Sequence, residues 1–112
     1  MIHILHASVE LHAETVQVAG QHTIRLAGEI DLGTVGALYE AVRTCLDAHP
    51  DRILITMAEV TFCDCVGVRA LLQARLETLR NGAAFLLRGP LHPSVARVFE
   101  YTRASAPLGV QL

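Results

Sequence analysis

Cys63 and Cys65 flank Asp64 in the run Phe62-Cys63-Asp64-Cys65-Val66-Gly67. A thiol at the start of a helix is drawn toward the thiolate, which would suit a reactive or sensing cysteine. The spacing is two, however, and not the C-x-x-C of redox and zinc pairs. If residues 62–65 are extended, both thiols face one side and Asp64 the other. The simpler expectation is that the cysteines act as small hydrophobes beside a buried strand end. Glu29, Asp31 and Asp64 could form a carboxylate cluster where two strands end side by side. Their positions fit better with Asp64 capping a helix start and Asp31 closing a turn.

The other reactive residue types lack the company that chemistry requires. Six histidines, His3, His6, His12, His22, His49 and His92, are scattered, and none has the i, i+4 spacing with an intervening Glu of a zinc helix. Gly28 to Thr34 looks like a phosphate loop, but it has no Lys and is acidic, which repels phosphate. Only Ser8, Ser94 and Ser105 are serines, and none lies in G-x-S-x-G. The reading is of no enzyme, no metal and no cofactor.

The elements that must position the Asp64 turn can be read from periodicity. Arg52 to Met57 is a short apolar run, the pattern of a strand covered on both faces. Val68, Leu71, Leu72, Leu76 and Leu79 follow at helical spacing, which predicts a helix from Val66 to Arg80. Asn81-Gly82 stops it. Upstream, Thr15 to Val18 and Thr23 to Leu26 alternate apolar with polar across the turn Ala19 to His22, a hairpin with one wet face. Residues 1–13 are weaker and read as an extra edge strand or an arm.

A second helix is expected from Thr34, with Val35, Leu38, Val42 and Leu46 on one face, ending at His49-Pro50. Ala83 to Leu87 reads as a buried strand. Pro93-Ser94 starts a short helix bearing Val95, Val98, Phe99 and Thr102. Gly109 to Leu112 could add a last short strand. Hairpin strands followed by two strand–helix crossovers imply an α/β mixed sheet with helices packed on it.

The totals agree with this. A chain of 112 residues is expected to form a single domain over 1–112. It is 52% hydrophobic and 18% charged, which favours a packed core over disorder. A net charge of −2 and the absence of Lys argue against nucleic acid. No apolar run reaches membrane-span length and the start does not read as a signal peptide, so no membrane association and a cytoplasmic location are expected. Three cysteines fit a reducing compartment.

Two segments together resemble a known family. Gly28-Glu29-Ile30-Asp31-Leu32-Gly33-Thr34 through Leu38 is similar to the G-E-[IL]-D-x-x-T-x-x-x-L signature of STAS domains, the sulfate-transporter and anti-sigma-factor-antagonist family. Val60 to Val68 resembles its V-x-F-[IM]-D-S-S-G-[LV]. The spacing between the two fits, and Arg88 to Thr102 is similar to the family's last strand and following helix. The resemblance covers about residues 14–112.

It implies a STAS-like mixed sheet with helices packed on it, from which this chain is expected to depart in lacking the terminal helix seen in many members. It also implies a bacterial regulator of transcription that binds an anti-sigma factor with a histidine-kinase-type ATPase fold. Asp31, Leu32, Thr34, Asp64, Cys65, Val66 and Gly67 would meet that partner. In the family the partner phosphorylates the second serine of D-S-S-G. Here Cys65-Val66 replaces the pair, so Val66 stands at the phosphoacceptor position without a hydroxyl. Thr56 and Glu59 also depart from the family's D-L-S-G. A non-switching scaffold or assembly subunit, with homo-oligomers, and a ligand or thiol sensor built on Cys63 and Cys65 are the alternatives.

Overall fold

A computed structural model of the chain describes residues 2–7 and 11–111, with side chains from Leu11 onward. The order is β1 (Ile2–Ala7), β2 (Leu11–Val18), β3 (Gln21–Ile30), α1 (Val35–Asp47), β4 (Arg52–Cys63), α2 (Cys65–Arg80), β5 (Ala84–Arg88), α3 (Pro93–Thr102), α4 (Ser105–Leu108) and β6 (Val110–Gln111). The strands lie side by side in sequence order in one sheet. β1, β2 and β3 are antiparallel neighbours, while β3 to β6 run parallel. The sheet is therefore mixed, with helices packed on it, as the α/β reading expected.

The core lies on one face of this sheet. Leu11, Ala13, Ile24, Leu26, Ile53, Ile55 and Leu87 from the strands pack with Leu38, Val42, Leu71, Val95, Phe99 and Leu108. All four helices contribute to that one cluster. Strands laid down in one direction with right-handed crossovers stack their helices on the same side. In β2, Leu11, Ala13 and Thr15 are buried and His12 is exposed, so the hairpin does have one wet face.

Several sequence readings need correction. β4 runs on to Cys63, six residues past Met57, because it pairs with β3 across register shifts as far as Ile30↔Cys63. The buried face of α2 is Gly67, Val68, Ala70, Leu71, Ala74 and Thr78. Leu76 and Leu79 are exposed, since small residues let α2 lie close to its neighbours along a different stripe. Only Leu87 of β5 is fully buried.

The four-residue α4 was not foreseen. Arg103 takes a left-handed conformation and Ala104 N–H returns to the Phe99 carbonyl, turning the chain; left-handed Gly109 then closes α4. β1 is formed over Ile2–Ala7, whereas the part of the expected arm at 1 and 8–10, and Leu112, lie outside the described residues. The predicted stops hold: His49 is left-handed after α1, and Gly82 is left-handed after α2.

Candidate functional site

Two parallel strands end together and deliver the site. Ile30 and Cys63 are register partners, and Asp64 N–H donates to the Ile30 carbonyl at 3.3 Å. Asp64 is extended and N-caps α2, its Oδ1 accepting from Gly67 N–H at 2.9 Å. This satisfies one of the donors that a helix start leaves unpaired. The first turn of α2 then sits directly on the end of β3. A Cβ at Gly67 would lie 2.6 Å from Cys63 Sγ and 2.9 Å from both Ile30 Cγ2 and the Ile30 carbonyl oxygen. Only glycine permits that approach.

The neighbouring loop is held by its own side chains. Thr34 Oγ1 donates to the Glu29 carbonyl at 2.8 Å and accepts from Asp31 N–H at 2.9 Å. Asp31 Oδ1 accepts from Gly33 N–H at 2.9 Å. Thr34 precedes α1 but makes no side-chain cap to it; its hydroxyl ties the loop to β3 instead. With the backbone fixed in this way, Leu32 is held outward and is 77% exposed.

The seven residues read from the sequence thus divide. Leu32, Cys65 and Val66 are exposed, and Asp31 and Asp64 are half-buried. Thr34 and Gly67 are buried and shape the corner from beneath. Asp31 and Asp64 serve as turn and cap, and among the described residues no three His, Cys, Asp or Glu side chains are grouped to hold a metal. The two cysteines do not share a face. Cys63 is buried and Cys65 exposed, because the chain turns from strand into helix at Asp64. Burial, reinforced by the nearby Asp64 charge and by Cys65, pushes the Cys63 thiol up to about 12. It is inert as a nucleophile.

The surface extends further than the motif. Ser94 Oγ donates to the Thr61 carbonyl at 2.7 Å, fixing the start of α3 against the end of β4. An open groove of about 450 Å³ then runs beside the corner, lined by Phe62, Cys63, Asp64, Cys65, Arg97, Val98 and Tyr101. Tyr101 is 87% exposed and Phe62 is 41% exposed. The sequence reading missed Phe62, Arg97, Val98 and Tyr101. The available signal was Tyr101, three residues after Val98 and four after Arg97, off the Val95–Phe99 core stripe. The corner and groove together offer aliphatic and aromatic contact area around two carboxylates, Asp31 and Asp64, and one guanidinium, Arg97. Exposed aromatic and aliphatic area with a few charges is a composition common in protein-contact surfaces.

Comparison with known proteins places this geometry in context. A family model described as the STAS domain matches residues 12–107. Among solved structures, the chain is similar to an anti-sigma factor antagonist from Mycobacterium paratuberculosis, with a TM-score of 0.76 and 21% identity, over 94% of this chain and 88% of that one. It is also similar to the anti-sigma factor antagonist SpoIIAA in its unphosphorylated form, with a TM-score of 0.72 and 22% identity, over 89% and 88% of the two chains. A third structure, the Bacillus cell fate determinant SpoIIAA in the phosphorylated form, gives 0.65 and 20% over 89% and 91%. Among curated proteins the sequence comparison found no significant match.

Proposed function

The chain belongs to the STAS-domain family, and on that footing we propose that it is a regulatory binding protein of the anti-sigma-factor-antagonist type. Its partner is an anti-sigma factor with a histidine-kinase-type ATPase fold, in a bacterial cytoplasm. Leu32, Asp64, Cys65 and Val66 make the contact, with Phe62 and Tyr101 at its edge. The observation that carries this reading is the exposure of Cys65 and Val66 on the first turn of α2, beside an outward Leu32.

Val66 gives the surface its particular property. A phosphate would bring roughly −1.5 to −2 charge to the helix start, beside the half-buried Asp64 carboxylate, and would reverse the surface's complementarity to a partner. Val66 has no hydroxyl to accept one. The contact is therefore constitutive: the partner's kinase activity does not release it. A thiol sensor that uses both cysteines gains no support from a sealed Cys63.

Calorimetric titration against purified anti-sigma ATPases, with ATP and with a non-hydrolysable analogue, tests this proposal. The expected result is saturable binding of equal affinity under both conditions. Absence of binding to every such ATPase, or release on incubation with ATP, would sink it.

A further inference from the structure

We propose that the helix-free face of the sheet is a second docking surface, separate from the corner, and that it takes an acidic amphipathic helix of another protein. The register fixes what this face displays. Val16 pairs with Thr23, Thr23 with Leu54, and Leu54 with Leu86, so four strands contribute one continuous cross-strand row. By strand alternation these residues point away from Ile24, Ile53, Ile55 and Leu87. Val16, Leu54 and Leu86 accordingly take no part in the core cluster.

A row carrying arginine flanks this apolar row on each side. On one side the register runs Val18–Gln21–Arg52–Ala84, and on the other Glu14–Arg25–Thr56–Arg88. Arg25, Arg52 and Arg88 are all exposed. Glu14 lies 3.5 Å from Arg25, while among the described residues Arg52 and Arg88 have no ion-pair partner. A chain of net charge −2 thus gathers three of its nine arginines on one face, against a single carboxylate in these rows.

Shape and charge choose the occupant. Leu54 is only 5% exposed, so the central row lies low between the longer side chains of Arg52 on one side and Arg25 and Arg88 on the other. A ridge of side chains can fill a trough, but a bilayer surface cannot enter it. No aromatic residue stands in these rows to stack a base, which disfavours single-stranded nucleic acid. A second copy of this face would bring arginine rows against arginine rows, and like charges across an interface oppose docking. A row across four strands is about 14 Å long, and a helix of three turns has about that length. A leucine stripe flanked by glutamates meets both the aliphatic row and the arginines.

The probe is a synthetic peptide of about 15 residues with Leu at helical spacing and Glu on both flanks. Its lysine-for-glutamate counterpart and vesicles of phosphatidylserine and phosphatidylcholine serve as controls. Backbone amide shifts are followed during titration of the intact protein. The proposal predicts saturable shifts at Val16, Thr23, Arg52, Leu54, Leu86 and Arg88, weakened by salt, with none at Val66. The Arg52→Glu, Arg88→Glu double variant, checked for unchanged melting, should lose roughly tenfold in affinity. Val66→Arg should bind the peptide as the wild type does. Failure of the acidic peptide to saturate, equal binding of the basic peptide, binding of the vesicles alone, or indifference to the double variant each overturns the proposal.

Discussion

Replacing Gly67 with alanine asks whether the close seat of α2 on β3 is what builds the corner. The added methyl meets Cys63 Sγ at 2.6 Å and Ile30 Cγ2 and carbonyl oxygen at 2.9 Å. Cys63 and Ile30 are both buried, and one of the three contacts is backbone, so no flexible side-chain end can swing aside. Overpacking of this kind costs about 1–3 kcal/mol, and three simultaneous clashes argue for the upper half of that range. Alanine's better helix propensity returns roughly 0.5–1 kcal/mol. The net expectation is a loss of about 2 kcal/mol. In urea this lowers the midpoint by about 1 M at unchanged slope, and the melting temperature by roughly 8 °C.

Gly36→Ala provides the control. Gly36 is also helical, but nothing lies within 4 Å of its Cβ position, so the same change there should stabilise by up to about 0.5 kcal/mol. If Gly67→Ala and Gly36→Ala shift the urea midpoint alike, the account of a tightly seated helix start is wrong.

Other consequences follow from the thiols, the buried histidine and Val66. Native protein treated with a maleimide should be labelled at Cys65 alone, because burial pushes Cys45 up to about 11 and Cys63 up to about 12; labelling of either by mass spectrometry before unfolding would contradict the fold. His22 is buried on β3, both ring nitrogens lack hydrogen-bond partners among the described residues, and burial holds its pKa below the ordinary 6.5. Protons then bind the unfolded chain more readily, so stability is full above about pH 7 and falls as the pH drops below about 6.5. His22→Leu should flatten that slope in urea titrations between about pH 7 and 5, and an unchanged slope would acquit His22. Val66→Ser should restore an acceptor at the exposed helix start. Incubation with a cognate anti-sigma kinase and ATP should then add one phosphate by mass; no addition would argue against the proposed contact geometry.

The parts of the fold that were legible in the sequence are those where local chemistry and burial agree. Gly82 and His49-Pro50 stop helices because backbone conformation limits them whatever packs nearby. Asp64 as a cap was legible for the same reason. The stripe of α2 was misread because Leu76 and Leu79 are apolar yet exposed, while Gly67, Ala70 and Ala74 do the packing. Burial there depends on how closely α2 approaches its neighbours, which no single-helix periodicity contains. Cys63 and Cys65 were expected on one face by strand alternation, but Asp64 turns the chain between them. Tyr101 and the groove it borders arise from α3 meeting the end of β4 through Ser94 and Thr61, thirty-three residues apart in sequence. Contacts at that separation leave no local trace.

The most direct test of the central claim is a binding titration of wild-type protein and Val66→Arg against the same kinase-type anti-sigma factor, with circular dichroism confirming the fold of each. Val66 is exposed, so the variant is expected to fold; a guanidinium in place of an isopropyl group at the centre of the proposed contact should then abolish binding. A variant that binds as tightly as the wild type would show that the corner is not where the partner sits.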